Sequence, residues 1–175
     1  GGIPYRIVYF FEPKLLEYPD TSLRHLQFIY HSIQALNNTL SDVNRSVDIF
    51  YGEVYAIFKY LKEKFIIKNI FSFQESGIQS TWQRDKQVAR FCKENDISWQ
   101  QSQRDGILRG IKNRNEWNKK WHRTMHTPLL KNTYSVSKQE KLTHPFLIPI
   151  KIKAKLKQYP KTFQPAGEHN AWRYL

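Results

Sequence analysis

His122 and His126 stand four residues apart, the spacing that sets two imidazoles on one face of a helix within reach of a single metal ion. No Glu or third ligand stands at matching spacing, so the residues favour histidines that are solvated or turned toward a nucleic acid over a metal site. The pair overlaps the end of the segment Lys112 to Arg123, in which Lys119, Lys120 and Arg123 lie beside Trp117 and Trp121. Cations interleaved with aromatics suit a polyanion-facing surface, because every phosphate contacted releases condensed counterions. A solvated face explains the same residues equally well. Other chemistry has little to build on: the seven glycines are scattered and form no phosphate loop, and no Ser, His and Asp are arranged by motif. No catalytic residue and no metal-ligand set is nominated.

The charge belongs to one part of the chain. Residues 1 to 100 carry 12 Lys and Arg against 11 Asp and Glu, whereas residues 101 to 175 carry 16 against 4, so nearly all of the +13 lies in the second part. Its other dense piece is the series Lys151, Lys153, Lys155, Lys157 and Lys161. The alternation of the first four with Ile150, Ile152, Ala154 and Leu156 reads as an edge strand or as a connector lying on the domain.

A hydrophobic fraction of 40% with 15% aromatics argues for a folded globule, and 175 residues suffice for one domain of ordinary size. No apolar run approaches the ~20 residues that cross a bilayer, and no secretory leader pattern opens the chain, so a soluble cytoplasmic protein with no membrane partner is expected. The single cysteine, Cys92, excludes an internal disulfide, fits a reducing compartment, and falls in a helical pattern with Val88 and Ala89 as a small buried hydrophobe. The only methionine is Met125 and the chain opens at the start of a strand, so the reading expects a fragment at both ends.

The elements that must position any site alternate. Ile3 to Phe11 ends in a nearly continuous apolar run, the pattern of a strand buried in a parallel sheet. A helix is predicted from Thr21 onward through Leu23, Leu26, Ile33 and Leu40, with Asp20, Thr21 or Ser22 as its N-cap. A strand at Val47 to Tyr51, a helix through Val54, Ile57, Phe58, Leu61 and Phe65, and a strand at Ile66 to Phe73 follow. Ser80 and Gln83 form a possible capping box for a third helix, and Ile97 to Trp99 is a short fourth strand. Strict alternation of this kind predicts an α/β fold with a doubly wound parallel sheet of Rossmann type, followed by a long basic C-terminal connector. Ligands of open α/β sheets bind outside the carboxyl ends of the strands, which points to Phe11 and Glu12 and to Gln74 and Glu75.

Several of these pieces fall in a recognisable order: Phe10-Phe11-Glu12-Pro13, Ser22-Leu23-Arg24 with Phe28, Gln74-Glu75-Ser76-Gly77, Arg84-Asp85 with Val88, Trp99, and Gln164-Pro165-Ala166-Gly167-Glu168. The set resembles the N-terminal α/β domain of the DNA photolyase and cryptochrome family. That resemblance implies an α/β domain over residues 1–126 and an interdomain connector over 127–175 leading to a helical domain that binds FAD. It implies a parent that acts as a deoxyribodipyrimidine photolyase on damaged DNA or as a blue-light sensor, this part alone being non-catalytic. It also implies a folate or deazaflavin antenna near Phe11, Glu12, Gln74 and Glu75. Glu75 stands roughly where some relatives have a carboxylate that holds a folate-type antenna, with a different spacing to Arg84-Asp85. Lys119, Lys120 and Arg123 are the nucleic-acid-facing candidates. The family's first strand, ending in a Trp-Phe-Arg-x-Asp-Leu-Arg signature, has no counterpart here, so a gap or a foreign strand is expected beside Tyr5 to Phe11. Two other readings stay open, a free-standing nucleotide-binding α/β sensor and a basic nucleic-acid-binding module.

Overall fold

A computed structural model describes residues 3–174 apart from positions 104, 109, 129 and 139. In chain order the first elements are β1 (Ile7–Phe11), α1 (Pro13–Leu16), α2 (Leu23–Leu40), β2 (Val47–Tyr51), α3 (Val54–Lys64) and β3 (Asn69–Phe73). They are followed by α4 (Gln79–Glu94), β4 (Ser98–Ser102), α5 (Trp117–Met125), α6 (Ile150–Lys157) and α7 (Glu168–Trp172). The chain forms two compact units, Gly1–Glu53 with Thr133–Leu175, and Val54–Asn132. The fold is α/β with parallel strands, as the alternation predicts. Among the described residues four strands are grouped as two pairs, β1 with β2 and β3 with β4. Among the described residues β1 has no strand partner besides β2.

In the first unit α2 lays one face on the β1–β2 pair. Ser22 caps it, its Oγ accepting from the His25 N–H at 3.3 Å, which settles the choice among three possible caps. Tyr30 and Ile33 join Phe11, Val47 and Leu156 in one buried cluster, with Leu26 and Ile29 packed at its edge. The residues Ile150 to Leu156 are helix, not edge strand. Lys, Ala and Leu are strong helix formers, and in a helix Ile152 and Leu156 fall four apart on the face that meets α2 while Ile150 points to solvent. Gln27, buried on α2, donates through Nε2 to the Lys155 and Gln158 carbonyls, tying the end of α6 to α2.

The segment before α6 is strapped to the same sheet. Tyr51 N–H donates to the Phe146 carbonyl (3.0 Å), Ser137 N–H to the Val43 carbonyl (2.8 Å), and Asn44 Nδ2 to the Ser137 carbonyl (2.8 Å). Arg6 pairs with Asp48 at 3.2 Å and reaches the Glu140 carbonyl at 2.9 Å. His144 stacks on Phe50 with centroids 4.1 Å apart, and its Nδ1 is shielded from solvent with no hydrogen-bond partner among the described residues. Burial lowers the His144 pKa from 6.5, against a smaller opposing pull from Asp48. Burial raises Asp48 above 3.8, with Arg6 opposing.

These two shifts act in different pH windows. A histidine with a depressed folded pKa contributes stability that is present above its unfolded value and is lost as the pH falls through the folded one. A raised carboxylate contributes on the acid side and loses its contribution as the pH rises through its folded value. Between about pH 7 and 5 the histidine therefore governs. Melting temperature should fall over that interval, and His144→Phe, which keeps a ring on Phe50, should flatten the fall. An equally steep profile in the variant would assign the titration to another group.

In the second unit α3 and α4 pack through Ile57, Phe58, Leu61, Val88 and Phe91, with the Phe58 and Phe91 rings stacked at 6.1 Å. Cys92 is buried among them, and burial pushes its thiol pKa up, which disfavours the reactive thiolate. One face of the β3–β4 pair is half-buried through Ile70, Trp99 and Gln101. The other carries Asn69, Phe71 and Phe73 opposite Ser98, Gln100 and Ser102 and is open, Phe71 being 71% and Phe73 60% exposed. The predicted capping box does not form: α4 starts at Gln79 with Ile78 as N-cap, which puts Ser80 inside the first turn.

Candidate functional site

The loop Gln74 to Ile78 leaves the carboxyl end of β3 and enters α4, and a cavity of about 400 Å³ lies against it. Glu75, Ser76, Gly77, Ile78 and Trp82 line it together with Ile107. The Glu75 carboxylate folds over the loop. A Cβ built on Gly77 would lie 2.7 Å from Glu75 Oε1 and 3.0 Å from Thr81 Oγ1, so a side chain added here would push the Glu75 carboxylate out of its present place. Among the described residues no side-chain hydrogen bond caps α4 at Ile78, and a helix N-terminus favours a carboxylate near it. Glu75 Oε2 lies 3.8 Å from Arg84 Nη2, while Arg84 is held at 2.8 Å by Asp85 Oδ1. Ser76 Oγ reaches Asp105 Oδ2 at 3.2 Å, tying the loop to the residues after β4. Trp82 is 49% exposed, and Lys86 Nζ stands 3.4 Å from its ring centroid. The cavity thus offers one acceptor carboxylate, an indole and two aliphatic walls.

Of the four residues expected to hold a cofactor, Glu75 alone lines this cavity. Gln74 is engaged through its backbone, its N–H donating to the Ser102 carbonyl at 2.9 Å. Phe11 and Glu12 belong to the other unit and are buried there. Phe11 is a core residue in edge contact with Tyr9 at 5.0 Å, and the Glu12 carbonyl starts α1 by accepting from the Leu15 and Leu16 N–H groups. Trp82 was not singled out from sequence. Its signal was available, a large aromatic in the first turn of the helix after a strand-end loop. A second cavity of about 280 Å³ lies in the first unit against Arg6, Arg45, Asp48 and Lys141. It opens at the amino ends of β1 and β2, the end opposite to the one where open α/β sheets hold their ligands.

The basic segment has a defined seat. Trp117 Nε1 donates to the Gly106 carbonyl at 3.1 Å, Trp121 lies 6.3 Å from Trp117, and a Cβ built on Gly106 would fall 1.9 Å from Trp121 Cδ1. The two indoles therefore clamp α5 onto the bend at Gly106, and no side chain can be added there without displacing Trp121. Lys119, Lys120 and Arg123 are exposed on α5, and among the described residues Glu116, 4.0 Å from Lys119, is the carboxylate that offsets them. His122 and His126 are also exposed and stack at 5.4 Å. The structure thus brings the three cations together on one short helix, and it seats both tryptophans inward.

No protein-family model matches the chain, and no curated protein is similar to it in sequence. Among solved structures it is similar to an archaeal photolyase from Sulfolobus tokodaii, with a TM-score of 0.63 and 15% identity. The crystal structure of that protein is described as having two FAD molecules, with the implication of a novel light-harvesting cofactor. The similarity covers 96% of this chain and 39% of the photolyase, so the chain spans about two fifths of that protein's length and has a photolyase-like α/β fold.

Proposed function

We propose that this chain is the antenna-chromophore-binding α/β domain, with its connector, of a deoxyribodipyrimidine photolyase or cryptochrome whose parent acts in light-driven DNA repair or blue-light sensing. The observation that carries this reading is the cavity at the carboxyl end of β3, in a fold similar to photolyase over nearly the whole chain. A flat pterin or deazaflavin ring fits its chemistry: Glu75 accepts from ring N–H groups, Trp82 offers a face, and Ile78 and Ile107 give apolar contact. When bound, such a chromophore absorbs light and passes the energy on. In this reading residues 1–126 are the α/β domain and 127–175 the connector, FAD belongs to a helical partner domain, and damaged DNA is the substrate of the whole.

Titration of the purified chain with a folate-type pterin or a deazaflavin, followed by quenching of tryptophan emission, tests the site. Glu75→Ala removes a charged hydrogen-bond acceptor worth about 1.5–3 kcal/mol, roughly a tenfold to hundredfold rise in Kd, with circular dichroism unchanged. Equal affinity in the variant would leave Glu75 as a turn residue only. A basic nucleic-acid-binding role is the second reading, favoured by Lys119, Lys120 and Arg123 on a helix that the two tryptophans hold in place.

A further inference from the structure

The distance between His122 Nδ1 and His126 Nε2 is 3.3 Å. Two imidazole nitrogens each about 2.0–2.1 Å from a shared metal, at an angle between tetrahedral and square, stand roughly 3 Å apart. The spacing between these nitrogens is thus already close to that of a two-histidine chelate. Both side chains are exposed, so an ion reaches them without unfolding anything. Two contacts hold the arrangement. Trp121 packs edge-on against the His122 ring at 5.0 Å and 87°, and the His126 N–H donates to the His122 carbonyl at 2.9 Å, keeping both residues on the final helical turn.

We propose that His122 and His126 form a chelating site for a late first-row divalent cation, taking Cu²⁺ ahead of Ni²⁺ and Ni²⁺ ahead of Zn²⁺. The order follows from the ligands. Imidazole suits all three ions, and with only two protein donors no rigid tetrahedral cage exists to favour zinc, so the intrinsic preference for copper prevails. No third His, Cys, Asp or Glu joins the pair among the described residues, and water fills the remaining positions. Lys119, Lys120 and Arg123 on the same helix repel a cation and weaken the site, which therefore differs in kind from a closed structural zinc centre. The ion bridges one turn at the end of α5 and binds only while that turn is helical, so it stabilises the turn by mass action.

The test uses the tag-free full chain titrated with CuSO₄, NiCl₂ or ZnCl₂ alone, read by calorimetry, by quenching of tryptophan emission and by melting temperature. One equivalent of Cu²⁺ should bind, tighter than Ni²⁺ and Zn²⁺, and raise the melting temperature. His122→Ala and His126→Ala should each weaken Cu²⁺ binding by about tenfold or more, since a chelate needs both donors. The double variant His126→Thr with Thr127→His keeps the histidine count but moves one ring to the fifth position, and it should bind as poorly as the single variants. Binding that survives in the single variants, or in the spacing variant, would place the metal on the other histidines and overturn the proposal. So would no binding of any of the three ions by the unaltered chain.

Discussion

Phe50→Ala should lower the stability of the chain by about 3–5 kcal/mol, the range for removing a large aromatic from a packed core. Phe50 has no exposed surface, and its ring meets Phe10 at 6.0 Å, Phe146 at 6.3 Å and His144 at 4.1 Å. It joins β2 to its neighbour β1 on one side and to the strap before α6 on the other. The void left by alanine cannot be filled by either rigidly paired strand. Domains of this size hold a total of roughly 5–15 kcal/mol, so the substitution consumes a large share. The melting temperature should drop by on the order of 10 °C. Phe50→Leu retains most of the volume and should cost far less. Thermal melts of both variants decide the matter, and an alanine variant melting with the unaltered chain would show that the ring is not part of the core.

How much of this was legible beforehand depends on whether a residue's partners are near in sequence. The helices α2, α3 and α4 were readable because their apolar positions recur at helical spacing, and β2 because a short apolar run is bounded by Asn44 and Gly52. The grouping of the strands into two pairs was not, since nothing local in Tyr9 or Phe71 states which strand lies beside it. For α6 the sequence left two readings open, an edge strand or a connector lying on the domain, because four lysines alternating with apolar residues satisfy a period of two; only the position of α2 removes the strand and makes Ile152 and Leu156 the face laid on the domain. The candidate site divides in the same way. Glu75 was legible as a residue at a strand's carboxyl end, whereas Phe11 was not, because a strand-end aromatic can face a ligand or the core, and here it closes the core. The inward seat of Trp117 and Trp121 needed Gly106, eleven residues upstream of Trp117, to be seen beside them.

Replacing Lys119, Lys120 and Arg123 together by alanine should make duplex DNA binding both weaker and less sensitive to salt. Each phosphate neutralised contributes about 0.9 to the slope of log affinity against log salt, so loss of three contacts should flatten that slope by about 2.7. Two features of α5 favour this outcome over a merely solvated face. The three cations share a helix of nine residues that, among the described residues, has one carboxylate, Glu116, beside it, and that pair is exposed at 4.0 Å, so it neutralises little. The tryptophans that could have offered stacking surfaces are turned toward Gly106, which leaves charge as the main attraction and predicts binding without sequence preference. Since all three side chains are exposed, their removal should leave the melting temperature nearly unchanged, and a loss of affinity then reports on contact and not on folding. The measurement is fluorescence anisotropy of a labelled duplex between about 50 and 200 mM salt. A variant with the original slope would mean that the charges on α5 face only solvent, and that the remaining basic residues of the second half, the α6 lysines first among them, carry whatever affinity the chain has for DNA.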